Sequence, residues 1–209
     1  MKKAAKHILF LCLTIIAALA FTACSGSDKG TSSAGKTAAK KSVSVYICAD
    51  YVSEEGSSAV ADRLKERLGG DTEVSITCIS TSGADPTMQM GSIMKVSMGL
   101  AAGEIDIIIA DEDNAARNAR SEAFCALSTL LSEEQIAGLG DRALSYEKVD
   151  EEGNTTGEFT EICGIDITDS GIMDGAVPAG TSMGMFVAGN APNTEECKTL
   201  MNQIVPIGS

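Results

Sequence analysis

From residue 105 to residue 110 the chain reads Ile105-Asp106-Ile107-Ile108-Ile109-Ala110, a near-continuous apolar run too short for a buried helix. A strand of that composition sits inside a sheet covered on both faces. Helices must then flank it, and the preceding sequence supplies them. Residues 42–49 alternate, with Val43, Val45 and Ile47 on one face and Tyr46 and Cys48 on the other, and read as a first strand. Residues 56–68 place Val60, Leu64 and Leu68 four apart and stop at Gly69-Gly70, the pattern of a helix. Residues 72–79, with Val74, Ile76 and Cys78, make a second strand. Asp85-Pro86 joins an N-cap acceptor to a proline at the first helical position. From there Met90, Ile93, Met94, Ser97, Leu100 and Ala101 form one stripe up to Gly103. Met88, Met90, Met94 and Met98 invite a reading as a soft-metal or adaptable binding surface, but the spacing of Met90, Ile93 and Met94 favours core packing. Right-handed crossovers then make the three strands parallel, with their C-terminal ends on one edge.

Beyond Ala110 the pattern changes. Residues 114–120 predict a short helix and 124–131 an extended stretch. Ser132-Glu133-Glu134-Gln135 is a capping box for a short helix ending at Gly138 or Gly140. Residues 146–149 and 156–162 flank Glu151-Glu152-Gly153-Asn154 and predict a hairpin. Residues 182–188 read as one more strand, and Asn193-Thr194-Glu195-Glu196 caps a last helix through Leu200, Met201 and Ile204 to Pro206. The expected class is α/β: a βαβαβ core with a mainly parallel sheet, a hairpin insertion and a C-terminal strand-helix.

The first 41 residues stand apart from this pattern. Lys2, Lys3 and Lys6 precede an apolar run from Ile8 to Phe21, the length of a secretory h-region and short of a stable membrane span. Phe21-Thr22-Ala23-Cys24 resembles the lipobox of bacterial lipoproteins, in which small residues precede a cysteine that becomes diacylglyceryl-modified and N-terminal; Phe21 stands where that family prefers Leu. The resemblance implies a signal peptide over 1–23, a lipid anchor at Cys24, and residence on the extracytoplasmic face of the cell membrane. Two acyl chains hold a protein there at roughly 0.8 kcal/mol per buried methylene. Apart from Asp28, residues 25–41 are Ser, Gly, Ala, Thr and Lys without apolar periodicity and read as a flexible tether. One α/β domain over 42–209 follows the 24–41 segment.

Seven of the 16 Lys and Arg, but only one of the 29 Asp and Glu, fall within residues 1–41; the domain keeps nine basic against 28 acidic residues, a net charge of −19. Such a surface repels nucleic acid and anionic headgroups, which excludes a nucleic-acid partner. The single histidine, His7, lies in the signal segment. The mature chain would hold no imidazole, so a Ser-His-Asp triad, a Cys-His pair and a His-ligated zinc or haem are excluded by inventory. Setting aside Cys12 and Cys24, five cysteines remain: Cys48, Cys78, Cys125, Cys163 and Cys197. Their odd number and lack of zinc spacing favour buried apolar filler over a disulfide framework. No cofactor is expected beyond the diacylglycerol on Cys24.

The order of lipoprotein signal, Ser/Gly tether, βαβαβ, the segment Glu122-Ala123-Phe124-Cys125-Ala126-Leu127-Ser128-Thr129-Leu130-Leu131, and a late strand-helix around Phe186-Val187-Ala188-Gly189-Asn190-Ala191-Pro192-Asn193 resembles extracellular solute-binding proteins of the type 2 periplasmic-binding class. The resemblance implies a ligand cleft beside the loop after Ala110, a small-molecule solute, and a transporter or other envelope protein as partner. That class has two lobes. The 168 residues of 42–209 amount to about one lobe plus a hairpin, a reduced relative.

In open α/β sheets ligands bind in the crevice outside the carboxyl ends of the strands. Asp50-Tyr51 follows the first strand, Ser80-Thr81-Ser82 the second and Asp111-Glu112-Asp113-Asn114 the third. The candidate ligand residues are therefore Asp50, Tyr51, Thr81, Ser82, Asp111, Glu112, Asp113, Asn114 and Arg117. Carboxylates there suit a cation, an amine or sugar hydroxyls, and Tyr51 can stack on a ring. Arg117 and Arg120 pair with these acids or face water. The plainer alternative makes Asp111 or Asp113 a helix cap and the rest solvated loop. The loop lacks the glycine-containing periodic pattern of an EF-hand. Asp166 and Asp169 read as an acid-base pair or, preferably, a turn cap. The function expected is a membrane-anchored solute-binding or ligand-sensing module without catalysis. Two other readings stand beside it: an envelope protein that binds a protein partner on the same fold, and a hydrolase using paired carboxylates such as Asp111 and Asp113.

Lipidation needs the Cys24 thiol. Cys24→Ser should leave the precursor unlipidated and unprocessed, whereas Cys12→Ser should do neither; mass spectrometry of the membrane fraction reads both, and a free, unmodified Cys24 in the wild-type protein would end the lipoprotein reading.

Overall fold

The computed structural model describes residues 41–69, 71–82 and 85–204; the expected signal peptide, Cys24 and the tether up to Lys40 lie outside the described residues. Every element below belongs to the compact unit of residues 39–209. Among the described residues no helix is long and apolar enough to cross a membrane.

The elements follow in order. β1 (Ser42–Ala49) leads to α1 (Glu54–Arg67), whose N-cap Ser53 accepts from the Gly56 amide. Because Ser53 is the cap, the helix starts two residues before the expected 56. β2 (Glu73–Ser80) leads to α2 (Pro86–Ala102), capped by Asp85 accepting from the Thr87 amide and stopped by Gly103 in the left-handed conformation. β3 (Ile107–Asp111) runs directly into α3 (Glu112–Arg120). After α4 (Glu133–Ala137) come β4 (Ala143–Leu144), β5 (Glu147–Val149), β6 (Thr155–Phe159), β7 (Gly164–Asp166), β8 (Met183–Val187) and α5 (Thr194–Ile204). The capping box before α4 is complete: the Ser132 hydroxyl accepts from the Gln135 amide, and the Gln135 side chain accepts from the Ser132 amide. The stretch 124–131 is not a strand. It makes one bridge, Phe124 to Ala188, then a 3-10 turn over Leu127–Thr129, which brings Leu127 and Leu130 together into the core.

The sheet has the order β2-β1-β3-β8-β7-β4. β2, β1 and β3 are parallel, as the crossovers require, and β8, β7 and β4 extend the sheet antiparallel. β5 and β6 form the expected hairpin as a separate two-stranded sheet. Ile107 and Ile109 join Val43, Val45 and Ile47 under α1 and α5; Ile108 and Ala110 face α2 and α3 with Phe186. β3 is therefore covered on both faces, and Ile107 is wholly buried.

α2 is turned away from the expected side. Val96, Gly99 and Leu100 are buried, while Met88, Met90, Met94 and Met98 are 72, 60, 53 and 67% exposed. Gly99 allows the close approach: a Cβ there would lie 2.9 Å from the Ile105 side chain, so the helix meets the sheet through Gly99 flanked by Val96 and Leu100, and the methionines are left outside.

Asp106, the one polar residue of the apolar run, is 1% exposed. Its Oδ2 accepts from the Ser44 amide at 2.8 Å and from Asn193 Nδ2 at 3.0 Å, and its Oδ1 accepts from the Asn193 amide at 2.8 Å. Asn193 was expected to cap α5 as an acceptor; here its side chain donates instead, because the buried carboxylate needs it. Lys41, assigned above to the tether, is held by the domain: its ammonium pairs with Glu196 at 2.9 Å and its carbonyl accepts from the Glu73 amide.

Ile107→Ala should cost about 2–5 kcal/mol, the range for a large-to-small core change. Asp106→Ala should cost no less, since three N–H groups lose their acceptor at about 1–3 kcal/mol each. Urea unfolding of residues 39–209 measures both, and a loss below roughly 0.5 kcal/mol for Ile107→Ala would remove β3 from the core.

Candidate functional site

β8 runs antiparallel to β3, with Met183 opposite Asp111, so the start of β8 meets the C-terminal ends of β1 and β3 at one edge. A depression of about 420 Å³ opens there. Asp50, Tyr51, Asp111, Glu112 and Asp113 line it from the strand ends. Pro178, Thr181 and Ser182 line it from the loop before β8. That loop is tied to α1: the Ser53 amide donates to the Ala176 carbonyl, and Arg63 Nη1 donates to the carbonyls of Ile172 and Asp174 at 2.8 and 2.9 Å. Gly56 permits the contact, because a Cβ there would sit 2.2 Å from the Gly175 carbonyl oxygen.

Asp111 belongs to the scaffold of this edge. Its Oδ1 accepts from the Asn114 amide at 3.1 Å and from Asn114 Nδ2 at 2.8 Å, and its Oδ2 accepts from the Asp50 amide at 2.8 Å. It is the N-cap of α3, which begins at Glu112 and not at Asn114. Both oxygens of Asp111 accept hydrogen bonds from the fold, the geometry of the helix-cap alternative. Asp166 likewise accepts from the Thr168 amide at 2.8 Å, a turn cap.

Four more of the nine candidates are used inside the fold. The Thr81 hydroxyl, buried, accepts from Asn114 Nδ2 at 2.8 Å, and Arg117 Nη1 donates to Asn114 Oδ1 at 2.9 Å. The Ser82 hydroxyl donates to the Asp50 carbonyl at 2.6 Å, as does that of Ser80 at 2.7 Å. These bonds hold the β1–α1 loop in place. Thr81, Ser82, Asn114 and Arg117 do not line the depression.

What the scaffold leaves over is specific. The carboxylates of Asp50, Glu112 and Asp113 and the phenol of Tyr51 are exposed and make no hydrogen bond among the described residues. Three acceptors and a ring around a depression suit a ligand rich in hydroxyl or amine donors. Among the described residues no three His, Cys, Asp or Glu side chains converge as a metal site. The five cysteines are free, and burial, aided by Asp111, pushes the Cys48 thiol up to about 12. Burial together with Asp106 does the same at Cys197, and burial raises Cys125 and Cys163. None of these four is a ready thiolate at neutral pH.

The sequence reading missed Pro178, Thr181 and Ser182. Pro178-Ala179-Gly180-Thr181 carries a turn signal, but its place at the site follows from the antiparallel direction of β8, which no local pattern encodes.

No protein-family model matches the chain, and no curated protein matches it. Two crystal structures of the N-glycan transport solute-binding protein NgtS from Streptococcus pneumoniae, one in complex with Man5GlcNAc, are similar to it at 22% identity, with TM-scores of 0.31 and 0.32. Each match covers 60% of this chain and 24% of the other, so the chain spans about a quarter of that protein's length. The resemblance is a distant one of fold.

Asp111→Ala should cost about 1–2 kcal/mol through the lost cap, whereas Asp113→Ala should cost only about 0.3 kcal/mol through its first-turn charge. Thermal unfolding of the two variants checks the order, and a larger loss at Asp113 would transfer the capping role to it.

Proposed function

We propose that the chain is a membrane-anchored extracytoplasmic lipoprotein whose α/β domain binds a small solute at the strand-end depression and performs no chemistry on it. One observation carries this reading: the side chains of Asp50, Tyr51, Glu112 and Asp113 make no hydrogen bond among the described residues around a cavity beside which Asp111, Asn114, Thr81 and Ser82 are hydrogen-bonded within the fold. A scaffold that satisfies Asp111, Asn114, Thr81 and Ser82 internally while leaving these four open is built to present them. Their chemistry selects a neutral polyhydroxylated or amine-bearing solute and repels anions. Tyr51, 60% exposed, offers a ring face for stacking. The absence of imidazole from 8–209 and the capped state of Asp111 support binding over hydrolysis. Anchoring through Cys24 would keep the bound solute at the membrane, where a transporter or another envelope protein takes it up.

A thermal-shift screen of residues 39–209 against mono- and oligosaccharides, amino acids, polyamines and divalent ions tests the reading. A ligand at 100 times its dissociation constant should add about 2.7 kcal/mol. Tyr51→Ala and Asp50→Asn should abolish that shift while leaving the melting temperature of the free protein unchanged. Retained binding in both variants would move the site elsewhere, and no shift with any polyol or amine would remove the solute-binding reading.

A further inference from the structure

α2 is the one described α-helix without an acidic residue in its first turn, and its whole length, Pro86–Ala102, contains no Asp or Glu and a single Lys95. Every other described α-helix opens with two acids: Glu54 and Glu55, Glu112 and Asp113, Glu133 and Glu134, Glu195 and Glu196. Its inward side meets the sheet through Val96, Gly99 and Leu100. Its outward side carries four exposed methionines, Met88, Met90, Met94 and Met98, beside Thr87, Gln89, Lys95 and Ser97, and large apolar side chains grouped on a surface mark a contact site. Thr87, Gly91, Met94, Met98 and Ala101 are all exposed, and their steps of 4, 3, 4 and 3 residues are those of a helix-pairing seam. Gly91 has no intramolecular reason to be glycine: a Cβ there would meet nothing within 4 Å. In the middle of a solvent-facing helix that choice costs stability relative to alanine.

We propose that this face is a self-association surface, on which α2 of a second copy of the chain docks antiparallel. Two features argue for a second copy. The first is charge: two domains of net −19 repel one another, and Pro86–Ala102, free of Asp and Glu, is a helix face on which no acid of one copy meets an acid of the other. The second is self-complementarity about a two-fold axis between Ser92 and Ile93. In that register Met94 of each copy lies over Gly91 of the other and Met98 over Thr87, so each helix offers both a large residue and a recess for it. Lys95 then falls beside Met90 of the second copy, where its aliphatic stem covers the methionine and no like charges meet.

Sedimentation velocity on residues 39–209, across about 5–200 µM protein, tests the proposal. A dimer should populate at the upper concentrations and tighten at least about threefold between roughly 50 and 500 mM NaCl, because salt screens the repulsion of two acidic domains. Met94→Asp should weaken it by at least about tenfold with an unchanged melting temperature. Gly91→Ala should raise the melting temperature and weaken the dimer, opposite signs that a purely structural role does not produce. The proposal is overturned by a monomer at the highest concentration in high salt, by a dimer indifferent to both substitutions, or by one that salt loosens. A monomer that instead cosediments with neutral phosphatidylcholine vesicles through Met94 would overturn it as well.

Discussion

Asp106 is the constraint on which the rest of the sheet depends. A carboxylate at 1% exposure in the middle of an isoleucine-rich run is costly unless its oxygens are fully used. They are used by Ser44 on β1 and by the backbone and side chain of Asn193 at the head of α5, while its own carbonyl accepts from the Ala188 amide just past the end of β8. β1 and the distant 188–193 turn between β8 and α5 are thus tied to one residue at the N-terminal end of β3. An apolar residue there would pack without naming partners; the carboxylate accepts only where donors of the right geometry meet. In this way it sets which strands flank β3 and in what register they leave it.

Five residues later the same strand ends in a second aspartate with the same kind of task. Asp111 starts α3, holds the Asp50 amide, and through Asn114 reaches Thr81 after β2. The two aspartates bracket β3, one closing the sheet at its base and the other organising the loops at its top. Because Asp111 is consumed in this way, the acids beside it are held at fixed positions without being neutralised.

The parallel core was legible because its signals are local. The apolar run of β3, the Asp85-Pro86 start, the Gly103 stop and the Ser132 capping box each carry their own stereochemistry, and all stand where expected. The orientation of α2 was not legible, since Met90, Met94 and Met98 repeat every four residues as faithfully as Ser92, Val96 and Leu100 do. What decides between the two lines is the close approach at Gly99 to Ile105, a tertiary fact. At the site, the strand-end position of Asp50, Tyr51 and the 111–114 segment could be read from topology. Which aspartate caps could not: Asp111 and Asp113 are equally good caps by type, and the choice falls to Asp111 because it alone also meets the Asp50 amide. The loop at 178–182 reached the site through strand direction, which side-chain periodicity does not record.

Charge placement joins these observations. Acids at the first turns of α1, α3, α4 and α5 complement the positive ends of those helices, so a good part of the domain's negative charge stabilises the fold. Glu112 and Asp113 do this for α3 while also facing the depression. A cationic or hydroxyl-bearing ligand that engages them draws on groups already held by a helix dipole, which limits how far it can pull them and favours hydrogen bonding over full charge neutralisation. α2, started by Asp85 and Pro86 without first-turn acids, is released from the same pattern and keeps four methionines on its acid-free outward face. The depression and that face belong to different elements, the first to the tops of β1, β3 and β8, the second to the outer side of a helix that contributes no residue to the depression. A solute can therefore occupy the one while a second copy covers the other, with no shared side chain through which either would have to displace its competitor.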